Sequence, residues 1–309
     1  TTEIYTLSLH DALPIWMMNK EFVSARIRLS SAVHLMSVAS GMGLLDEELR
    51  RFGKFSLRIG SRVLGYFGID SDGKEILSFG PPVPPVGPPA GISSLTLWFP
   101  APRDATAVLT GTPGGKAIPI PGSFAAGRAL SFFRIAGKKV SAALAGTDKD
   151  TAPVAGPAMQ RAILLLNAVV RGIVEVANHD PAVADRRAHM GFGTIELRIE
   201  DDPPCSLTID ATEEKLQAVD TETDYAMRGE IPASPGSPSV CLSFSSPAAA
   251  IEVLSGAADA VVALGTGAVR IRGRLPLVQN LFPILDRLGE YMRGGPVKGK
   301  SERGKGELP

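Results

Sequence analysis

Residues 52–59 read FGKFSLRI and residues 192–199 read FGTIELRI, so five of eight positions are identical at an offset of 140. Further along, residues 95–111 align without a gap on residues 240–256, and seven of these seventeen positions are identical. The period is far too long for a solenoid repeat, in which units of 20 to 50 residues recur. The sequence therefore predicts two tandem copies of one domain.

A third pair of blocks continues the repeat in the same order, with AIPIPG at 117–122 and AVRIRG at 268–273. A chain of 309 residues is long enough for two domains of about 150 residues each. We therefore assign residues 17–145 to a first half and residues 146–293 to a second half, each with one copy of the fold.

The composition argues against several functional classes. Lys+Arg and Asp+Glu both number 32, so no net charge attracts nucleic acid from a distance, and no nucleic-acid partner is expected. Cys205 and Cys241 have neither a CxxC spacing nor a nearby histidine cluster, which argues against a zinc site and a disulfide framework. Reduced thiols in a cytoplasmic protein are the expected state.

The two ends of the chain differ from the rest. Residues 1–15, TTEIYTLSLHDALPI, resemble a translated sequencing adapter and are expected to have no fold. No secretory signal is visible from Met17 onward. The apolar run 162–176 is interrupted by Asn167 and Arg171 and is expected to be too short and too polar to span a bilayer. The Gly/Lys-rich tail 294–309 is expected to be disordered.

Hydrophobic spacing predicts the same order of elements in each half: helix, three antiparallel strands, strand, helix, strand, helix. Apolar residues recur every three or four positions in 25–49 and in 158–177, which is typical of helices. Pro102 and Pro247 fit the first turn of a later helix in each half, and Gly111 and Gly256 fit the left-handed ends of these two helices. We predict an α+β fold, in which each half has a mainly antiparallel, roughly five-stranded sheet covered on one face by helices.

A proline-rich segment precedes the fourth strand of each half, at residues 80–91 and 231–239. The first of these contains PxxP spacing, which suits a ligand of an SH3-type domain because polyproline geometry is preformed. The second alternative is a stiff surface connection. The recurrence of a similar segment at the same place in both halves favours the connection.

No motif in the chain predicts catalysis. GTPGGK at 111–116 has one residue too few for a phosphate-binding loop, and Ala117 stands where a metal-binding hydroxyl is needed. The histidines His34, His179 and His189 form no recognisable triad with nearby residues. We therefore expect no catalytic residues, no cofactor and no metal ligands, and the protein is interpreted as not an enzyme.

The remaining signal is apolar. Residues 274–292, RLPLVQNLFPILDRLGEYM, place a broad apolar stripe along one side of a helix, and residues 124–135 are the matching segment of the first half. Core packing explains any single one of these residues best. As a set they also suit the wall of a lipid site, since twelve buried methylenes contribute about 10 kcal/mol before the costs of binding.

Residues 243–288 resemble the C-terminal half of the sterol carrier protein lipid-binding domain. The family pattern is a strand, a helix headed by proline, Leu-x-Gly, a short helix, a strand flanked by glycine and an apolar terminal helix. The first half resembles it less, because residues 112–116 are six residues shorter than their counterpart and lack its short helix.

The resemblance implies an apolar tunnel for a fatty acyl chain, a sterol or an isoprenoid, mainly in the second half. It also implies a transient membrane contact, and the two halves are expected to pack as an internal pseudo-dimer. Other interpretations are an accessory module that presents isoprenoid or quinone intermediates to enzymes, an enzyme, and a purely structural protein. The residues predicted to line the tunnel are all apolar: Leu242, Phe244, Val253, Leu254, Val262, Leu264, Leu277, Leu281, Phe282, Leu285 and Leu288.

Overall fold

The computed structural model describes residues 9–61, 63–79, 93–121, 126–147, 156–201, 204–212, 215–219 and 239–293. The elements up to residue 147 are α1 (Leu9–Gly41), α2 (Asp46–Phe52), β1 (Lys54–Ser61), β2 (Gly65–Asp72), β3 (Ile76–Phe79), β4 (Ser93–Trp98), α3 (Pro102–Thr110), β5 (Ile118–Pro121) and α4 (Ala126–Ala145).

The second half repeats this order with two additions, a 3₁₀ turn before its second helix and a short helix before its last strand. Its elements are α5 (Pro157–His179), a 3₁₀ turn (Pro181–Val183), α6 (Ala184–Met190), β6 (Gly193–Ile199), β7 (Cys205–Ala211), β8 (Leu216–Val219), β9 (Val240–Phe244), α7 (Pro247–Leu254), α8 (Ala260–Gly265), β10 (Val269–Gly273) and α9 (Leu275–Met292). Most of the proline-rich segments at 80–91 and 231–239, and the whole tail, lie outside the described residues.

Each half forms a five-stranded sheet with the same strand order. The order is β3-β2-β1-β4-β5 in the first sheet and β8-β7-β6-β9-β10 in the second. One neighbouring pair in each sheet is parallel, β1 with β4 and β6 with β9, and every other pair is antiparallel. The predicted α+β fold with two mainly antiparallel sheets is therefore confirmed.

Local sequence explains where the helices after the fourth strands begin and end. Pro102 and Pro247 are the first residues of α3 and α7, where the missing amide hydrogen has no helical partner to lose. Ser246 caps α7, because its hydroxyl accepts a hydrogen bond from the amide of Ala249 at 3.2 Å. Gly111 ends α3 in the left-handed conformation, with a φ of 70°. These predicted boundaries are confirmed.

The helices α1 and α5 pack along each other and contribute to both hydrophobic cores. Ala25 and Leu29 of α1 join the core of the first sheet, whereas Ile27 of the same helix joins the core of the second. Leu164 of α5 joins the first core and Leu166 the second. Each helix therefore has one apolar side for each sheet, so the two halves share their central layer.

A buried ion pair crosses between these two helices. The Nε of Arg26 donates to Glu175 at 2.7 Å, and Nη1 of Arg26 donates to the backbone carbonyl of Leu64 at the same distance. Both charged side chains are nearly inaccessible to solvent. The guanidinium is thus satisfied by both halves, as a buried charge requires.

Two helices differ from their predicted extents. The backbone of α1 is helical from Leu9, inside the segment expected to have no fold, and residues 1–8 lie outside the described part. The apolar run in α5 was expected to be too short and too polar to span a bilayer. This expectation is wrong on length and composition, because α5 has 23 residues and is apolar enough to cross a membrane. Because 72% of its most apolar stretch is buried inside the protein, α5 is a core helix.

The edge strands β5 and β10 differ in register by one residue. The aligned blocks match Ile120 with Ile271, and Ile271 lies opposite Leu242 on the side of its sheet that faces the helices. Ile120 lies opposite Thr96 instead, so it points away from the helices and is 50% exposed. A one-residue slip turns every side chain of a strand to the other face. β5 therefore exposes an isoleucine whose counterpart in β10 packs against the core.

Candidate functional site

The apolar residues predicted to line a tunnel come together in one cluster, with a single exception. The members are either buried in the core of the second half or packed against it: Leu242, Phe244, Val253, Leu254, Leu264, Leu277, Leu281, Phe282, Leu285 and Leu288. They come from β9, α7, α8 and α9. The sequence predicted this cluster from the order of the elements, because a strand and the helices that follow it pack on the same face of the sheet.

Val262 does not belong to this cluster, and its prediction as a lining residue is corrected. Its exposed fraction is 61%, and its neighbour Ala263 is the buried residue of α8. Asp259 fixes this orientation, since its carboxylate accepts hydrogen bonds from the amides of Val261 and Val262 at 2.8 Å and 3.2 Å. Adjacent helical residues point about 100° apart, so a helix that buries Ala263 turns Val262 outward.

The sheet and α9 form two apolar surfaces of the cluster. Leu242 on β9 and Ile195 on the neighbouring strand β6 are buried on the side of the sheet that faces the helices. Leu277, Leu281 and Leu288 are the buried residues of α9 among those predicted. The floor and one wall of the candidate site therefore consist of aliphatic side chains.

A close contact fixes α9 against α5 near its C-terminal end. A Cβ atom placed on Gly172 would lie 2.5 Å from Cδ1 of Leu288, which is closer than real Cβ atoms approach other atoms. Glycine at this position lets Leu288 pack directly on the backbone of α5. The contact holds the two helices together at this end of the candidate site.

Several predicted residues are only half-buried and link the core to the surface. They are Val253 and Leu254 at the end of α7, Leu264 in α8, and Phe282 and Leu285 in α9. All five pack against the core while part of each side chain still meets solvent. Apolar atoms in this position suit the entrance of a site for an apolar guest.

The first half fills the matching space with aromatic rings. Phe132 of α4 contacts Phe55 of β1 with ring centroids 4.5 Å apart, and it contacts Phe52 edge-on at 6.1 Å. The aligned residue for Phe55 in the second half is Ile195. The aligned residue for Phe52 is Phe192, which is 67% exposed. The buried ring of Phe55 is therefore replaced by an aliphatic side chain in the second half, and the half-buried ring of Phe52 has an exposed counterpart.

The two hydrophobic cores as a whole also differ in their content of aromatic residues. The buried part of the first core holds four phenylalanines, Phe55, Phe67, Phe99 and Phe132. The buried part of the second holds one, Phe244, and is otherwise built from aliphatic residues and Met190. Aromatic side chains contribute the largest buried areas in protein cores. The first half thus has a ring-filled interior and the second has an aliphatic one.

A polar cluster that the sequence did not predict anchors α9 at its C-terminal end. One carboxylate oxygen of Asp180 accepts from Nε of Arg287 at 2.7 Å and from the hydroxyl of Tyr291 at 2.8 Å. The other accepts from the amide of Ala182 at 2.9 Å. Burial raises the pKa of the Tyr291 phenol, and its hydrogen bond to Asp180 raises it further. The phenol therefore stays protonated as a donor, and the cluster serves to hold α9.

Two of the histidines lie between the halves in structural contacts. Nε2 of His34 lies 2.9 Å from the side-chain oxygen of Asn167. Nε2 of His179 lies 3.4 Å from Glu175, the carboxylate that also binds Arg26. Burial lowers the pKa of His179, and the charge of Arg26 lowers it further. His179 thus has a carboxylate partner, but the ion pair with Arg26 already holds that carboxylate.

The remaining candidates for chemistry are poorly suited to it. Nδ1 of His189 lies 2.7 Å from the backbone oxygen of Asp185 at the surface. Burial raises the pKa of the Cys205 thiol to about 11, and burial together with Glu196 raises that of Cys241 to about 11. Both thiols are protonated at neutral pH and are weak nucleophiles. Within the described residues no three His, Cys, Asp or Glu side chains are grouped to hold a metal ion.

No family model and no curated protein matches the chain. Among solved structures it is similar to a ubiquinone synthesis protein described as UbiJ-SCP2, with 16% identity and a TM-score of 0.28 over 39% of this chain and 95% of that chain. It is also similar to the sterol carrier protein domain 2 of Helicoverpa armigera, with 14% identity and a TM-score of 0.29 over 41% of this chain and 89% of that chain.

Sterol carrier protein 2 from Yarrowia lipolytica gives a comparable likeness, with 15% identity and a TM-score of 0.27 over 40% of this chain and 91% of that chain. In all three cases the match covers most of the other chain and about two fifths of this chain. The chain is thus similar to sterol carrier protein 2 domains over the length of one such domain.

Proposed function

We propose that the second half binds an apolar lipid, a fatty acyl chain, a sterol or an isoprenoid, in a hydrophobic tunnel between its sheet and α9. The observation that carries the proposal is the exchange of interior rings for aliphatic side chains. Ile195 replaces Phe55, and Phe192 is 67% exposed where Phe52 is half-buried against the first core. The protein then acts as a lipid carrier that takes up and releases its guest.

The energetics of apolar burial support this function. Each methylene transferred from water into such an interior contributes about 0.8 kcal/mol, so a long acyl or prenyl chain binds without any charged anchor. The half-buried residues Val253, Leu254 and Phe282 provide apolar contacts between the interior and solvent. A site of this kind needs no catalytic group, and we propose a binding protein rather than an enzyme.

The first half has a different task in this proposal. Phenylalanine rings fill its core, so we propose that only the second half buries a lipid. We propose that the halves form an internal pseudo-dimer in which the first supports the second. The packing of α1 along α5 and the buried pair of Arg26 with Glu175 support this arrangement. We place the protein in the cytoplasm, a location that the two unpaired cysteines suit.

Native mass spectrometry of the full chain as purified, followed by organic extraction, tests the proposal. We expect an additional mass that extraction identifies as a lipid, or uptake of a fluorescent acyl, sterol or prenyl probe by protein stripped of lipid. Recovery of a polyprenyl compound assigns the protein to the presentation of isoprenoid intermediates. A chain that carries no lipid and takes up none of the three probes contradicts lipid binding and leaves a purely structural role.

A further inference from the structure

The strand β10 forms an edge of the second sheet, and only one of its sides has a partner strand. The strand order ends with β10, and no described residue pairs with its outer side. On the inner side β10 runs antiparallel to β9, where the amide of Ser245 donates to the carbonyl of Ala268 at 2.9 Å. At the other end of this pairing the amide of Arg274 donates to the carbonyl of Ser239 at 2.9 Å. Hydrogen-bonded pairs recur at every second residue of an antiparallel ladder, so the even-numbered residues of β10 bond to β9.

The odd-numbered residues of β10 therefore direct their backbone groups toward the free edge. These residues are Val269, Ile271 and Gly273. Each of them has an N–H donor and a C=O acceptor that an added strand can use. Strand addition at such an edge is a recurring mode of peptide recognition, in which the main chain supplies affinity and alternate side chains supply specificity.

Prolines close the matching edge of the first half. Pro119 and Pro121 alternate along the edge strand β5, and proline has no N–H group. Within a sheet proline is confined to positions whose N–H would face the free edge, so β5 lacks the donors that an added strand needs. The two halves of one repeated fold thus differ in whether a further strand can join this edge of the sheet.

The side chains of β10 indicate which kind of strand fits its edge. Ile271 lies opposite Leu242 on the side that faces the helices, and it is half-buried against the second core. Arg270 and Arg272 flank it on the opposite face of the sheet, and both are exposed. Glu200 lies 3.6 Å from Arg270, whereas no ion pair joins Arg272 to another described residue. A neighbouring strand fits best with acidic residues beside the two arginines and an apolar residue beside Ile271.

The same arginines argue against the pairing of two copies of this chain through β10. If two β10 strands meet antiparallel about Ile271, Arg270 of each strand lies directly opposite Arg272 of the other. Like charges in that position destabilise a sheet. Charge therefore closes the edge to a second β10 strand and leaves it open to an acidic strand, whereas the prolines close the edge of β5 to every strand.

We propose that β10 accepts an additional strand from a partner protein, an extended segment in which acidic residues alternate with apolar residues. The main chain of this segment bonds to the free backbone groups of β10, and its acidic side chains contact Arg270 and Arg272. Its apolar side chain covers the exposed part of Ile271. The chain then has a protein-binding edge in addition to the proposed lipid site, and this inference does not depend on whether the second half binds a lipid.

Binding of a synthetic peptide to the full chain tests the added strand. The probe is a capped, fluorescently labelled peptide Glu-Val-Glu-Val-Glu, and Lys-Val-Lys-Val-Lys is the control peptide of reversed charge. We compare the wild type with Arg270→Glu/Arg272→Glu, which reverses the charge of the edge, and with Ile271→Pro, which removes a free N–H group as in β5. Arg128→Glu/Arg134→Glu is the matched control variant, because both residues are exposed on α4 of the first half.

We expect the wild type to bind the acidic peptide about tenfold more tightly than the basic one in fluorescence anisotropy, because ion pairs replace contacts between like charges. Charge reversal on β10 inverts this preference, and the α4 variant keeps it. Ile271→Pro weakens binding of the acidic peptide by roughly tenfold, since one main-chain hydrogen bond is lost.

Amide hydrogen exchange reports the added strand directly and needs no variant that could unfold. When the acidic peptide binds the wild type, we expect exchange of the Val269, Ile271 and Gly273 amides to slow by about tenfold or more. The amides of Arg270 and Arg272 already bond to β9 and are expected to change little.

The inference is overturned if the acidic peptide does not bind, or if it binds no better than the basic peptide. It is also overturned if the peptide binds without slowing exchange at the odd-numbered amides of β10, because the arginines then form only a charged surface. Concentration-dependent self-association that Ile271→Pro abolishes contradicts it as well, because the edge then joins two copies. Peptide binding by protein that takes up no lipid probe supports the added strand while the proposed function fails, so the two failures are distinguishable.

Discussion

The substitution Ile195→Phe tests whether the interior of the second half has room for a guest. It places a ring at the position where the first half has Phe55, which is fully buried and 4.5 Å from Phe132 between centroids. Ile195 itself is fully buried on β6. The substitution therefore makes the second interior resemble the first by one side chain, without disturbing the surface.

The expected magnitudes differ sharply between a hollow and a solid interior. Insertion of extra volume into a filled core costs about 1–3 kcal/mol of unfolding free energy. In a hollow interior the ring occupies unfilled space, and we expect a loss of less than about 1 kcal/mol in lipid-free protein. The same ring displaces about three methylenes of a bound chain, which weakens lipid binding by about 2.4 kcal/mol or roughly 60-fold.

Urea unfolding of the lipid-free protein and titration with a fluorescent acyl probe measure these two quantities. Phe55→Ile is the matched control, since it removes ring contacts from the first half and is expected to lower stability by about 1–3 kcal/mol while leaving probe affinity unchanged. If Ile195→Phe lowers stability by 1–3 kcal/mol and leaves probe affinity unchanged, the interior of the second half is solid and the reasoning is refuted.

Three further predictions concern how the halves and helices are held together. Gly172→Ala places a methyl group against Leu288 and is expected to lower the unfolding free energy by about 1–3 kcal/mol in urea unfolding, whereas Gly265→Ala, which meets no atom within 4 Å, has little effect. Arg26→Met removes the closest partner of the buried Glu175 and leaves only His179, 3.4 Å away, so we expect a cost of about 3–5 kcal/mol in the same assay. The additional substitution Glu175→Leu is expected to restore most of this stability, and a cost of Arg26→Met below about 1 kcal/mol contradicts the account of the pair. Because the pKa of His179 is lower in the folded protein than its ordinary 6.5, the unfolded chain binds the proton more tightly, so stability is lost as pH falls below about 6.5; His179→Gln is expected to flatten this part of the profile, and an unchanged slope contradicts the assignment.

Local sequence signals predicted the elements that depend on short-range chemistry. Alternation of apolar residues located β1 and β6, because each strand has one face on the core. Pro102 and Pro247 located the starts of α3 and α7, because proline is favoured where no helical hydrogen bond is lost. The apolar stripe predicted for the last helix identified the residues of α9 that reach the second core. Each of these features depends on residues that are close together in the sequence.

Features decided by partners far away in the chain were not predictable in this way. Arg26 and Glu175 are 149 positions apart, and nothing in the sequence around either residue indicates the other. The outward orientation of Val262 depends on which side of a six-residue helix meets the core, a length too short for a periodic signal. The register of β5 was hidden because its sequence aligns with β10 while its pairing is shifted by one residue.

The shared central layer has a consequence for any attempt to divide this protein. Expression of residues 9–147 alone would leave Val23 and Ile27 without the surface that buries them, and residues 156–293 alone would uncover Ile163 and Leu164. Each fragment would expose an apolar helix surface that is complementary to the apolar surface of the other fragment. If the chain is divided between Thr147 and Gly156, each fragment is expected to aggregate when it is produced alone. The two fragments are expected to associate into the native structure when they are produced together.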